Sequence, residues 1–315
     1  MHARKFRGMR STYLLALAAL TLARPVCSQA RPANPAGKVP VLEYHLIADA
    51  DSRWGRSRDG FRRDLQLLYT RGYRPITVSQ LIDRQIDIPA GTSPVVFTFD
   101  DSSPGQFGYI ERNGALEVDP NSAVGIWIAF SKEHPDWGHR ATFCLLPGAD
   151  HGHAFFGDRG VSGQQTAWRF PKVRFLVDQG FELCDHTLWH AMLNKYSDAV
   201  VQEQIARGAL AIDSAVPGYR VRTFALPLGL WPKNRALARE GRWTDPRSHR
   251  TVAYRFDAVL EVSGSDPAPA LDGSFNAGSI PRYQVIGDNL VRLLDRIEAK
   301  RYVHTGSAKA AGAPR

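Results

Sequence analysis

Val95-Val96-Phe97-Thr98-Phe99 is an almost unbroken apolar run, and Asp100-Asp101 follows it directly. A run of that composition is what a strand covered on both faces requires, as in a parallel sheet flanked by helices. Two carboxylates then stand at the C-terminal end of the strand. In parallel α/β folds those ends converge on one face, where chemistry is placed. The stretch therefore predicts an architecture and, within it, the position of a site.

Working outward, short apolar runs alternate with amphipathic stretches on both sides. Strands are predicted at Val39–Leu46, Ala141–Leu146, Phe181–Cys184, Thr223–Leu226 and Phe256–Val262. Helices are predicted over 58–71, 123–131, 168–179, 198–215 and 287–300. The first sets Phe61, Leu65 and Leu68 on one face and stops at Gly72. Thr77 caps a short helix holding Leu81 and Ile82, and Ser197 or Asp198 caps the helix from 198. At least six βα-like units over one continuous stretch predict a (β/α) barrel of parallel strands, with a doubly wound open sheet as the alternative. The segments 102–140, 147–164 and 263–280 are long for connections, which marks them as functional or inserted.

The 315 residues are 43% hydrophobic and 23% charged, which excludes disordered, collagen-like and coiled-coil classes. The net charge of +9 is misleading, because Arg4, Lys5, Arg7, Arg10 and Arg24 precede any acidic residue. Without them 35 basic side chains face 31 acidic ones, a net +4 with no long basic run, so no nucleic-acid partner is expected. Arg4, Lys5, Arg7 and Arg10, the apolar stretch Thr12–Ala23 and Ser28-Gln29-Ala30 form the three parts of a secretory signal. The apolar stretch is short for a permanent span. A retained anchor is the competing reading, and Arg24-Pro25-Val26 before Cys27 is a poor match to a lipoprotein site.

The expected organisation is a signal peptide over 1–30, a linker over 31–38, a catalytic domain over 39–300 and a flexible tail over 301–315. The mature protein is expected in the periplasm or outside the cell, with no stable membrane span after cleavage. Cys144 and Cys184 lie in apparent strands and read as buried free thiols rather than a bridge, without a catalytic role.

Two further segments follow strands: His186-Thr187-Leu188-Trp189-His190 and Phe224-Ala225-Leu226-Pro227-Leu228-Gly229. The H-x-x-x-H spacing predicts two imidazoles on one face of a helical turn, able to share a metal. It is not the HExxH of zinc proteases, since Thr187 stands where their glutamate would be. The Asp pair supplies the base instead. A divalent ion held by Asp101, His186 and His190 would relieve the repulsion of the adjacent carboxylates and leave Asp100 unligated as base. Zinc is the default for two histidines and one carboxylate, and nickel, cobalt or iron also fit. The bland alternatives are a solvated turn for the Asp pair and packed or surface histidines.

With these residues in place, the sequence resembles the polysaccharide deacetylases of carbohydrate esterase family four over most of residues 39–300. The T-F-D-D motif of that family is matched by Thr98 to Asp101, H-[ST]-x-x-H by His186 to His190, and A-T-F by Ala141 to Phe143. The resemblance implies a distorted barrel, Asp100 as catalytic base, and Asp101, His186 and His190 as metal ligands. There are departures. Ser102 replaces a glycine, and the third motif, normally R-x-P-Y-G, has Ala225 where an arginine orients the base. The late L-x-H motif, source of the usual acid, has no match.

The missing arginine and Pro40-Val41-Leu42-Glu43-Tyr44-His45 resemble the exported poly-N-acetylglucosamine deacetylases. His45, at a strand end, is the candidate proton donor, with a packed structural histidine as the alternative. Leu228 is a candidate backbone N–H donor to the oxyanion. Trp189, Trp231 and Pro227 are candidate walls for the sugar, whereas Trp127 belongs to the core. His151 and His153 would touch substrate or a second metal only if their loop turns inward, and His304 reads as a solvated surface residue.

The implied activity is metal-dependent removal of N-acetyl groups from an N-acetylglucosamine-containing polysaccharide, exopolysaccharide or peptidoglycan, with release of acetate. The alternatives are an O-acetyl glycan esterase and a carbohydrate-binding homologue that has lost turnover.

Overall fold

The computed structural model describes residues 32–148, 154–262 and 268–306. The signal peptide expected over 1–30 lies outside the described residues, as do His151, His153 and the end of the tail from 307.

Eight strands form one sheet: β1 Val41–Tyr44, β2 Tyr73–Ile76, β3 Ser93–Phe99, β4 Thr142–Leu145, β5 Glu182–Asp185, β6 Thr223–Ala225, β7 Ala258–Leu260 and β8 Tyr283–Gln284. Their order is β7-β6-β5-β4-β3-β1-β8, with β2 as an additional neighbour of β3. Every pairing in it is parallel. The seven residues of β3 are all buried, in keeping with the VVFTF run. Its first half pairs with β2 and its last two residues with β4, so two strands share one of its edges. That split distorts the barrel. The segment 280–284 closes it, because Ile280 bridges Leu260 on β7 while Tyr283 and Gln284 pair with Leu42 and Glu43 on β1. An open doubly wound sheet would leave those edges apart.

Successive strand residues point to opposite faces. Val41, Val96, Cys144, Cys184, Ala225, Leu260 and Ile280 form one buried cluster inside the barrel. Leu42, Phe97, Phe99, Phe143 and Leu183 pack outward with the helices. Cys144 and Cys184 lie opposite one another on β4 and β5 as buried free thiols, as expected. The small side chains at these positions fit the narrow interior.

The helices are α1 Arg58–Thr70, α2 Val78–Ile82, α3 Ala123–Glu133, α4 Arg169–Asp178, α5 Asp198–Ala215 and α6 Asn289–Ile297. Phe61, Leu65 and Leu68 are the buried apolar face of α1. Thr77 caps α2 in a reciprocal box with Gln80, and Ser197 caps α5. None of the described helices is long and apolar enough to cross a membrane.

Two hairpins and the chain end depart from the reading above. The segment 102–140, marked as long and with a helix predicted over 123–131, also holds a hairpin of Tyr109–Arg112 with Ala115–Val118 ahead of α3. A second hairpin, Glu240–Thr244 with Thr251–Arg255, was not legible because its exposed face is polar and its inner face is short. The chain also does not come free at residue 301. Arg301, Tyr302, Val303 and His304 are buried, and His304 donates its backbone N–H to the Thr92 carbonyl. Asn34 and Lys38 bridge Val303 and Arg301, so part of the expected linker is docked as well. Gly37 permits this approach, because a Cβ there would stand 2.5 Å from the Arg301 backbone. The small-residue composition beyond 304 had masked the apolar Tyr302-Val303 pair.

Candidate active site

Thr98 and Asp100 point into the barrel at the end of β3. The Thr98 hydroxyl donates to the Leu42 carbonyl at 2.8 Å, and the Asp100 N–H donates to the Tyr44 carbonyl at 2.9 Å. The chain then turns through two left-handed residues, Asp101 at φ 73° and Ser102 at φ 51°. A glycine would take that conformation without strain. Ser102 compensates by accepting the Leu146 N–H at its hydroxyl, 3.0 Å away, which ties the turn to the end of β4.

The two imidazoles do converge, although not on a helical turn. Residues 186–190 are irregular, with Thr187 at φ 70° and His190 at φ 64°. Asp185, buried and pushed up to about 8 by its burial, accepts the Thr187 N–H at 2.7 Å. The Thr187 hydroxyl accepts the His190 N–H at 3.0 Å. This local bonding replaces the expected helix and aims both rings at Asp101. His186 Nδ1 donates to the Ala225 carbonyl at 2.8 Å, which leaves the Nε2 lone pair facing inward. Nε2 of His186 and of His190 lie 3.4 and 3.5 Å from the same oxygen, Oδ1 of Asp101. Burial, reinforced by His186, lowers His190 to about 4 and keeps that ring neutral.

This donor set fits a metal ion. Oδ1 of Asp101 is buried without a hydrogen-bond donor among the described residues. The ligating atoms of Asp101, His186 and His190 lie within 4.8 Å of one another. Two nitrogens and one carboxylate oxygen suit zinc and neighbouring divalent ions.

Glu43, His45 and Asp100 form a second cluster of the same size. There the cation is a side chain. Arg282, fully buried just before β8, donates from Nη1 to Asp100 Oδ1 and from Nη2 to Asp100 Oδ2, each at 2.7 Å. Its Nη1 also reaches the Thr98 hydroxyl at 3.0 Å, and its Nε donates to the Glu261 carbonyl at 2.7 Å. Burial alone would raise the Asp100 carboxyl, but the guanidinium, with His186, holds it well below the usual carboxylate range.

Sequence reasoning missed this residue. It placed the base-orienting arginine at Ala225 and found none, because 263–280 read as a loop with no strand after it. The available signal was a lone Arg between Ile280-Pro281 and Tyr283.

A cavity of about 340 Å³ brings together His45, Asp100, Asp101, His186, His190 and Leu228, with Leu46, Trp54 and Val262. His45 stands at its edge, lowered by burial against the opposing pull of Asp100 and Asp101. Leu228 is 49% exposed and held at φ 57°.

The walls differ from expectation. Trp189 is exposed but does not line the cavity, and Pro227 is buried and shapes the turn. The Trp231 indole N–H donates to Glu261 at 2.8 Å, and Arg235 lies 3.8 Å over its ring. Trp54, which no motif had marked, is the aromatic wall; it is 42% exposed, with its ring 5.3 Å from that of His45.

The same arrangement of strands is found in solved structures. The Streptococcus pyogenes deacetylase PplD, crystallised with acetate, aligns at 16% identity and a TM-score of 0.55 over 82% of this chain and 97% of its own. A Bacillus cereus polysaccharide deacetylase aligns at 16% identity and 0.55 over 82% and 68%. IcaB from Ammonifex degensii aligns at 18% identity and 0.52 over 84% and 98%.

The fold is that of the polysaccharide deacetylases.

Residues 136–241 match the polysaccharide deacetylase family model, a span that holds β4, β5, β6, His186, His190 and Leu228. The sequence has no significant match among curated proteins. Asp100, Asp101 and Arg282 lie outside the matched span, so the barrel brings the polysaccharide deacetylase match and the carboxylates together.

Proposed function

We propose that the protein is an exported, metal-dependent hydrolase that removes N-acetyl groups from an N-acetylglucosamine-containing polysaccharide, exopolysaccharide or peptidoglycan, and releases acetate. One observation carries the reading: a buried carboxylate locked by Arg282 stands beside a His-His-Asp donor set in a single open cavity.

Asp101, His186 and His190 would hold the ion. A divalent metal, zinc by its ligand types with nickel, cobalt or iron compatible, supplies Lewis-acid polarisation of the acetyl carbonyl when bound. Asp100 accepts the proton of the attacking water, and Arg282 fixes which of its lone pairs faces the cavity. The Leu228 N–H is assigned to the developing oxyanion. His45 protonates the sugar nitrogen as the C–N bond breaks, and with the proton taken from water also released to the products, amide and water become the sugar ammonium and acetate. Trp54 offers a flat apolar face to the C–H side of a sugar ring. Arg282 also removes one of the two supports for a binding protein without turnover, the missing arginine, the other being the unmatched late L-x-H motif.

The test is acetate release by the zinc-loaded protein from poly-N-acetylglucosamine oligomers and from O-acetylated xylan, with Asp100→Ala as control. Release from the amide polymer, lost in the variant, is the expected result. Release from xylan alone would make the protein an esterase. Binding without release from either would make it a carbohydrate-binding protein. For export, N-terminal sequencing of the mature protein is expected to begin at Arg31.

A further inference from the structure

Glu43 has no part in the chemistry assigned above, yet it is fully buried in the barrel. It precedes His45 by two residues at the end of β1, so strand alternation sends both to the same side. Its Oε1 lies 2.7 Å from Nη2 of Arg282 and 3.8 Å from Nε2 of His45. The same Nη2 donates to Asp100. The line of contacts therefore runs Asp100, Arg282, Glu43, His45. Oε1 stands close to the guanidinium, but neither oxygen of Glu43 completes a hydrogen bond among the described residues. A buried carboxylate so poorly satisfied is costly, and an apolar residue would fill a barrel interior more favourably. Burial pushes Glu43 up to about 7, against the pull of Arg282.

We propose that Glu43 is a positioning residue that joins the two sides of the site: one carboxylate holds Arg282 against Asp100 and orients the His45 ring into the cavity. This rests on the reading above in which Asp100 and His45 exchange protons with the substrate. The separation of proton acceptor and proton donor is then set by one side chain on β1. On its other side the His45 ring meets the edge of Trp54. Its Nδ1 has no hydrogen bond among the described residues, which leaves the nearby carboxylates of Glu43 and Asp100 to fix its rotation.

The variant is Glu43→Gln, which keeps the shape and removes the charge. On the zinc-loaded protein, kcat for acetate release is expected to fall at least tenfold with KM within twofold. In a His45→Asn background the same substitution is expected to cost at least threefold less than it does alone, because only the hold on Arg282 is left to lose. An equal loss in both backgrounds overturns the proposal. A second readout needs no activity: in isotope-labelled protein, nuclear Overhauser contacts between the His45 ring and the Trp54 indole weaken in Glu43→Gln. Unchanged contacts overturn the proposal, even if the protein releases no acetate from any glycan, which would count against the deacetylase reading alone. Should the Gln variant not fold, Glu43→Asp keeps the charge, shortens the reach to His45 and is read by the same two measurements.

Discussion

Arg282 grips both oxygens of Asp100 from 182 residues away in sequence, and both side chains are fully buried. Arg282, just before β8, places against Asp100 an arginine where the resemblance expected one at Ala225 on β6. A guanidinium fork matches a carboxylate in two parallel hydrogen bonds, and a lysine would not reproduce it.

Arg282→Met is therefore expected to destabilise the fold by about 3–5 kcal/mol, the cost of stranding a buried charge. Asp100 has a folded value below its unfolded one, so its contribution to stability is present above about pH 4 and is lost only as pH falls through the folded value. Without Arg282 only the neighbouring histidines oppose burial, and the value rises. The acid limb of kcat/KM is then expected to move to higher pH, which a pH-rate profile beside urea unfolding will show.

Asp101→Ala and His186→Ala each remove one of the three proposed ligands. Zinc affinity is expected to fall by at least about a hundredfold, read as metal content after dialysis. Chelation of the unmodified protein is expected to abolish acetate release, and zinc to restore it.

Trp54→Ala removes the aromatic wall. KM for a glycan oligomer is expected to rise roughly five- to tenfold, equivalent to about 1 kcal/mol, with a smaller change in kcat. Trp231→Phe is expected to leave KM unchanged and to cost about 1 kcal/mol of stability through the lost bond to Glu261.

Leu228 sits at φ 57°, where glycine is at ease and proline cannot go. Leu228→Gly keeps both the turn and the N–H, so kcat is expected within about threefold of the parent. Leu228→Pro loses both, and a fall of about a hundredfold or more is expected. Steady-state kinetics on the two variants separate the backbone role from the side chain.

Deleting the chain after Lys300 removes the buried Arg301, Tyr302, Val303 and His304. It also removes the Tyr302 carbonyl that accepts from the Ser93 hydroxyl at the start of β3. A loss of about 3 kcal/mol or more is expected, measured as a lower midpoint in urea.

Local sequence determined what local physics controls. The VVFTF run, the apolar face of α1 and the capping residues Thr77 and Ser197 each follow from one segment's own periodicity and bonding, and the structure carries them all. The Asp pair and the H-x-x-x-H segment were legible as chemistry because metal and proton transfer demand those side chains close together. The conformation of the second was not, because Asp185 and Thr187 bond the backbone of residues 186–190 away from a helix. Only the tertiary structure decided that Arg282 belongs to Asp100, that Glu43 belongs to both Arg282 and His45, and that Trp54 rather than Trp231 faces the cavity. Those relations depend on which strands lie side by side when the barrel closes through Ile280 to Gln284, and no segment's own pattern records its neighbours.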